Sequence, residues 1–242
     1  MFTVRMNTFR RNDDLKRSVD NYALCPAVTR IQIVWSDQEN EPPPLNFFSP
    51  AARELIEFEL HTTDSLNNRF NALSPPPTEG VFSVDDDMLF KCEDLKFAHQ
   101  TWRAASETMV GFVPRLVTRD EETGEHRYRS WWFTWWNGAY NLVLTKAAFL
   151  HRKHLDAYMT LPPKMLAYVD AHRNCEDIAM SMVVARDTRA PPLWVRGAIR
   201  ELGAPGISSS GGHYRARCAC LDAFAQVLGG THLQLGTAKA VP

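Results

Sequence analysis

The sequence predicts a doubly wound α/β sheet, and three observations carry that prediction. Short β-rich runs alternate with helical ones through the first third of the chain. The connections between them are short, and one run, Val81-Phe82-Ser83-Val84, is apolar or neutral throughout, as a central strand buried on both faces should be. Such sheets bind ligands beyond the carboxyl ends of their strands, so the chemistry is to be sought just after residue 84.

Taken in order, residues 2–6 read as the first strand, and residues 12–23 set Leu15, Val19 and Tyr22 at helical spacing behind an Asn12/Asp13 cap. Residues 31–35 form a second strand. After Pro42-Pro43-Pro44, residues 56–60 form a third, followed by a capped helix over 64–70 that Pro75-Pro76-Pro77 breaks. Residues 93–105 read as a helix, 109–113 as a strand, and the charged stretch 119–125 as an exposed hairpin or loop. Trp131-Trp132-Phe133-Thr134-Trp135-Trp136 then meets Asn137-Gly138, a type I′ turn signal, with 140–145 as the returning strand. Helices follow at 146–158, 163–171 and 177–185. The Gly/Ser-rich stretch 203–212 reads as mobile, and 217–228 as a closing helix ended by Gly229-Gly230.

The 242 residues carry 27 Lys and Arg against 28 Asp and Glu, a formal net charge of -1, and are 45% hydrophobic and 23% charged. These values exclude disordered, collagen-like and coiled-coil chains. The lack of a basic excess argues against a nucleic-acid partner. No apolar run approaches the roughly 20 residues that span a bilayer, and the N-terminus lacks the apolar core of a signal peptide. A domain of this length buries roughly 70–75% of the surface of its unfolded chain, so disulfides are optional. Five cysteines form an odd set without a CxxC, which disfavours zinc ribbons and thioredoxin-like redox motifs.

Asp85-Asp86-Asp87 is the most informative feature. At an effective dielectric of about 20, each close pair of like charges costs a few kcal/mol unless a cation sits among them. Mg²⁺ or Mn²⁺ suits such an oxygen-rich site and bridges to phosphates. Extended backbone puts Asp85 and Asp87 on one side and Asp86 on the other. An acidic turn capping the next helix is the competing reading, of about equal weight. In Asn174-Cys175-Glu176-Asp177, Asn174 can cap a helix whose first turn holds two acids, where the dipole favours them; a plain capped helix start explains this equally well. Gly211-Gly212-His213 with Arg215 and Arg217 can close over a diphosphate through bidentate arginine contacts, or form a surface loop and a basic helix face. Cys218 and Cys220 find no further ligands at metal spacing. The tryptophans read as packing, with a sugar-stacking platform as the alternative, and His151 and His154 fall on a solvated helix face. Neither GxGxxG nor GxxxxGK[ST] occurs.

Seven blocks together resemble the catalytic domain of the exostosin-type glycosyltransferases, glycosyltransferase family 64. They are Phe2-Thr3-Val4 with Asn7-Thr8-Phe9 and Arg11, then Ile33-Val34-Trp35, Ser65-Leu66-Asn67-Asn68-Arg69-Phe70 and Val84-Asp85-Asp86-Asp87. Gly111-Phe112-Val113-Pro114-Arg115, Asn174-Cys175-Glu176-Asp177-Ile178-Ala179-Met180 and Arg217 with Cys220 complete the set, which runs from residue 2 to about residue 229. Ser130-Trp131-Trp132, Trp135-Trp136, Tyr140 and Lys146-Ala147-Ala148-Phe149 are most similar to the plant branch, which includes glycosylinositol phosphorylceramide mannosyltransferases.

The resemblance implies a GT-A-type α/β fold with a mostly parallel central sheet. One catalytic domain over 1–242 is expected, with a nucleotide-binding half (1–90), an acceptor and catalytic half (91–230) and a tail (231–242). It implies transfer of mannose or an N-acetylhexosamine from a UDP- or GDP-sugar donor to a glycan or glycolipid acceptor, with retention of configuration. Mn²⁺, with Mg²⁺ as the substitute, would be held chiefly by Asp87 together with Asp85. Asp85 and Asp86 would meet ribose, base-side groups or metal-bound water, and Asn7, Arg11, Ser36, Asp64 and Arg69 would line the nucleotide. Asp177 would lie beside the anomeric carbon with Glu176 next to it, and Arg217 would hold the donor or leaving phosphate. Animal members carry Asn where Ser36 and Asp64 stand, which bears on the base. Also implied are a Cys175–Cys220 disulfide, a Golgi lumen and an N-terminal membrane anchor upstream of this chain. Self-association is left open. A haloacid-dehalogenase-like phosphatase would need a later GDxxxD, which is missing. A partner or carbohydrate-binding subunit without turnover is the remaining alternative, although every candidate catalytic position is filled.

Overall fold

Along β1 (Phe2–Thr8), Phe2, Val4 and Met6 turn to one face and Thr3 and Arg5 to the other, all buried, so the strand lies inside a sheet covered on both sides. The protein is seen here as a computed structural model that describes residues 1–203 and 212–242. Most of the Gly/Ser-rich stretch 203–212 therefore lies outside the described residues.

After β1 come α1 (Asn12–Ala23), β2 (Val28–Trp35), α2 (Pro50–Arg53), β3 (Ile56–Leu60), β4 (Gly80–Asp85), β5 (Met88–Leu89) and α3 (Cys92–Ala104). The middle of the chain supplies β6 (Val110–Gly111), the hairpin β7 (Pro114–Arg119) and β8 (His126–Arg129), then α4 (Trp131–Asn137), β9 (Leu142–Val143) and β10 (Ala147–His151). The remainder is α5 (Lys153–Met159), α6 (Pro163–His172), α7 (Glu176–Thr188), β11 (Leu193–Val195), β12 (Arg200–Glu201), α8 (His213–Leu228) and β13 (Lys239–Ala240).

Eight strands form one sheet in the order β13-β11-β6-β10-β4-β1-β2-β3, and β10 alone runs against its neighbours. This mostly parallel, helix-flanked sheet is compatible with the GT-A-type fold. Two small antiparallel sheets, β12-β5 and β8-β7-β9, attach to it. The core centres on Phe82, whose ring lies 4.8 Å from Phe149, 5.7 Å from Phe90 and 6.1 Å from Tyr22 of α1. Such offset and edge-on aromatic pairs add to the area they bury.

Several local expectations need correction. The aromatic run 131–136 is the helix α4, not a strand entering a hairpin: the Ser130 hydroxyl accepts from the Phe133 amide, and Gly138 ends the helix in left-handed backbone at φ 65°. Asn-Gly marks any site needing positive φ, whether a type I′ turn or a helix C-cap, so the dipeptide alone could not choose. Residues 146–158 are not one helix. Ala147, Ala148, Phe149 and Leu150 are fully buried in β10, between β4 and β6, and the helix begins only at Lys153. His154 is buried with its ring against Glu107 O at 2.9 Å, rather than solvated. At α1 the capping position is Arg11, with no side-chain cap, and at α7 it is Cys175 rather than Asn174. The 64–70 segment is a single 3-10 turn, Leu66–Arg69, capped by Ser65. Two disulfides are present, Cys175–Cys220 as expected and Cys25–Cys92, which cysteine counting did not suggest; Cys218 is free. No helix of the described residues is long and apolar enough to cross a membrane.

Candidate active site

Parallel pairing brings the strand ends to one rim. Asn7 stands in register with Val34 and Asp85, and Thr8 with Trp35, so the carboxyl ends of β1, β2 and β4 open side by side. Just past β1, Arg10 adopts left-handed backbone at φ 56°, and the chain turns so that Arg11 faces the acidic triplet. The Arg11 guanidinium pairs with both Asp86 and Asp87, the latter at 2.9 Å.

The three aspartates divide as expected, Asp85 and Asp87 apart from Asp86, although only Asp85 belongs to β4 and the next two residues form a turn. Asp86 is fully buried. Its Oδ2 accepts from Thr8 at 2.6 Å, its Oδ1 faces Arg11 without an aligned hydrogen bond, and its backbone carbonyl accepts from Ser18 at 2.6 Å. It therefore fastens the turn to β1 and α1. Burial drives its carboxyl up to about 7 against the pull of Arg11 and Thr8. Asp85 and Asp87 keep partly open side chains, and burial and then the Asp85 charge raise Asp87. Leu202 donates to the Asp87 carbonyl at 2.8 Å, and Lys146 pairs with Glu201 at 2.7 Å, which pins β12 behind the turn.

Arg69 links this rim to the second half of the chain. It is buried, pairs with Asp85, donates to Thr145 O at 3.3 Å, and holds its Nε 3.8 Å from Glu176. The turn that carries it is anchored from below. Arg5, fully buried, donates to the carbonyls of Arg69 (2.6 Å), Asn71 (3.0 Å) and Asn68 (3.2 Å) and pairs with Glu59 at 2.7 Å. Asn68 donates to the Ser36 hydroxyl at 3.0 Å, which ties Ser36 into the same turn. Asp64, expected in the nucleotide pocket, forms a two-pronged pair with Arg173 at 2.8 and 3.1 Å.

Glu176 and Asp177 open α7, and their position follows from two linked constraints. Cys175 holds the capping position in left-handed backbone at φ 78°, which costs a non-glycine residue about 1–3 kcal/mol, and its disulfide to Cys220 clamps it against α8. Arg217 and Cys220 are three residues apart and so share one face of α8. The cross-link therefore delivers Arg217 to Asp177, with which it pairs at 2.8 Å. Tyr128 of β8 completes the contact: its hydroxyl accepts from Arg217 at 3.1 Å, with the guanidinium 5.0 Å from its ring centre. Burial works to lower Arg217, but the Asp177 charge outweighs it and raises Arg217 above its already high range, and burial, then the Asp177 charge, pushes Glu176 up to about 7.

Five carboxyl groups thus face three guanidiniums. Among the described residues no three His, Cys, Asp or Glu side chains converge as a closed metal cage. The partly open carboxylates of Asp85 and Asp87 are oxygen donors of the kind that a hard divalent cation such as Mn²⁺ or Mg²⁺ takes. A cavity of about 640 Å³ between the hairpin and the end of α8, lined by Arg119, His126, Asn141 and Asp222 among others, contains none of these residues.

The sequence matches the glycosyl transferase family 64 domain over residues 2–241. The chain belongs to that family. As a member of family 64 it is a glycosyltransferase. It is 40% identical over 253 residues to glycosylinositol phosphorylceramide mannosyl transferase 1 of Arabidopsis thaliana, covering 99% of this chain and 76% of that protein. It is 31% identical over 250 residues to human Exostosin-2, covering all of this chain but only 34% of that protein. Identity to Arabidopsis glucosamine inositolphosphorylceramide transferase 1 is 30% over 240 residues, which is 94% of the chain and 30% of the relative. The chain thus spans about a third of the latter two.

Sequence reasoning overlooked Arg5, Thr8, Glu59 and Tyr128. Arg5 sits in a strand that reads as ordinary alternation, and Tyr128 in a polar run, His-Arg-Tyr-Arg, that carries no chemical motif.

Proposed function

We propose that this glycosyltransferase moves a sugar, mannose or an N-acetylhexosamine, from a UDP- or GDP-sugar to a glycolipid or glycan with retention of configuration, and that it does so with Mn²⁺. One observation supports the proposal: buried Arg69 pairs with Asp85 of the acidic rim and lies 3.8 Å from Glu176, the neighbour of the Asp177 that pairs with Arg217. The likeness to a glycosylinositol phosphorylceramide mannosyl transferase favours GDP-mannose and a lipid-borne acceptor.

In this reading Asp87 and Asp85 hold the cation, and Asn7, Arg11 and Ser36 border the nucleoside. When bound, the divalent ion neutralises charge that develops on the leaving diphosphate. Arg69 and Arg217 supply fixed positive charge to the same oxygens from a buried setting, where it counts for more than in water. Tyr128 and Asp177 keep Arg217 from swinging, so little reorganisation is needed during reaction. Asp177, held at the open end of α7, stabilises positive charge at the anomeric carbon or attacks it. Glu176, pushed up to about 7, keeps the second carboxyl there partly neutral, which limits repulsion beside Asp177. The two disulfides fit an oxidising lumen such as the Golgi.

A donor screen tests this directly, with UDP-GlcNAc, UDP-GalNAc and GDP-mannose, each with Mn²⁺ or EDTA. Transfer from one donor that stops with EDTA and with Asp87→Asn is expected. Metal-independent turnover would overturn the metal assignment, and failure to bind every donor would favour a partner subunit.

A further inference from the structure

Helix α4 is built inside out. Its one buried side chain is Thr134, whose hydroxyl donates to Ser130 O at 3.2 Å, while Trp131, Trp132, Phe133, Trp135 and Trp136 are 37%, 70%, 39%, 48% and 83% exposed. At about 100° per residue those five side chains sweep an arc of roughly 200° around the helix axis. The five aromatic side chains thus form a broad exposed apolar face along one helix. Indoles suit a lipid interface in particular, because their apolar bodies enter the acyl boundary while their N–H groups stay among headgroups.

Charge points the same way. Arg129 leads into α4, lies 5.0 Å over the Phe133 ring, donates to the Thr118 hydroxyl at 3.1 Å, and has no carboxylate partner among the described residues. The nearby acids are engaged elsewhere: Asp120 and Glu125, at the tip of the hairpin about 14 Å along the strands from Arg129, pair with Arg127. A free guanidinium beside exposed indoles matches an anionic lipid phosphate.

We propose that α4 is a membrane-interface anchor that seats in an anionic bilayer and holds the catalytic site against the surface bearing its acceptor. Tyr128, which touches Arg217, precedes Trp131 by three residues, so their Cα atoms lie within about 11 Å of each other. The purpose of this anchor rests on the lipid-acceptor reading above, but its test does not. The full chain is floated with phosphatidylcholine vesicles containing phosphatidylserine as the minor component, without donor or acceptor. Wild type is expected to float with the vesicles and to shift its tryptophan emission to the blue. The double variant Trp132→Ala/Trp136→Ala, altered only at its most exposed positions, should bind at least about tenfold less while keeping its far-ultraviolet spectrum. Arg129→Ala should weaken binding to the mixed vesicles and leave binding to pure phosphatidylcholine unchanged. Wild type that stays soluble, or a double variant that floats equally well, overturns the proposal. So does a wild-type dimer that Trp132→Ala/Trp136→Ala dissociates in the absence of vesicle binding, which would assign the patch to a second copy. A failed donor screen leaves the flotation result untouched, and a failed flotation leaves the donor screen untouched.

Discussion

Replacing Arg5 with methionine tests whether the buried Arg5–Glu59 pair supports the site. The side chain is fully buried and makes contacts no neutral residue can replace: the Glu59 carboxylate at 2.7 Å and the carbonyls of Asn68, Arg69 and Asn71. Arg5→Met keeps much of the volume but strands a charge, and breaking a buried pair in this way costs about 3–5 kcal/mol. The pH dependence supplies a second handle. Burial works to raise Glu59, yet His61 and Arg5 together hold it down at about 2, against 4.5 for an ordinary glutamate. A carboxylate depressed on folding stabilises above its unfolded value and loses that contribution as pH falls toward the folded one. The full contribution is about 3 kcal/mol, and about 2 kcal/mol of it disappears between pH 7 and pH 3. Urea unfolding of wild type and Arg5→Met, followed by tryptophan fluorescence, should therefore show a gap of about 3–5 kcal/mol at pH 7 that narrows at pH 3 by up to about 2 kcal/mol, the part of the Glu59 depression that Arg5 rather than His61 supplies. A gap below about 1 kcal/mol at pH 7, or one that ignores pH, would refute the reasoning.

Three further outcomes follow from the site. Asp177→Asn should leave donor affinity, read by calorimetry, within a few-fold of wild type while transfer falls by at least about a hundredfold; undiminished turnover would remove Asp177 from the mechanism. Tyr128→Phe keeps the ring under Arg217 but deletes the hydroxyl at 3.1 Å, so transfer should drop roughly tenfold at nearly unchanged melting temperature, and equal rates would show that the contact is idle. The disulfides close separations of 67 and 45 residues, each about 4 kcal/mol in the loop-entropy account, so reduction should lower the melting temperature sharply; free Cys25 or Cys175 in non-reduced peptide maps would contradict the pairing.

How much of this was legible in the chain depends on the range of the interaction concerned. The short β-rich runs at residues 2–6, 31–35, 56–60 and 81–84 are a local signal, and all four strands appear where those runs lie. The acidic triplet, Glu176-Asp177 and Arg217 were visible as residues. The motif blocks around them carried the family, because a site needs particular residue types in a particular order. That Asp86 would be the buried member of the triplet was not visible. Asp86 is sealed by Thr8, Ser18 and Arg11, residues that lie about seventy positions away, and no window along the chain contains them all.

The same limit explains the misread segments. Asn137-Gly138 states only that positive φ is needed, and Ala147-Ala148-Phe149-Leu150 suits a buried helix as well as a buried strand until β4 and β6 leave an open slot between them. The sequence by itself determined the class of fold, the family and the residue types of the active centre, since these follow from period, spacing and chemistry within short stretches. Only the tertiary structure decided that Arg69 joins the two acidic groups, that Arg5 supports it from beneath, and that the tryptophans face outward. Each of those depends on burial and on charges brought together across long separations, where desolvation sets which partner a side chain must find.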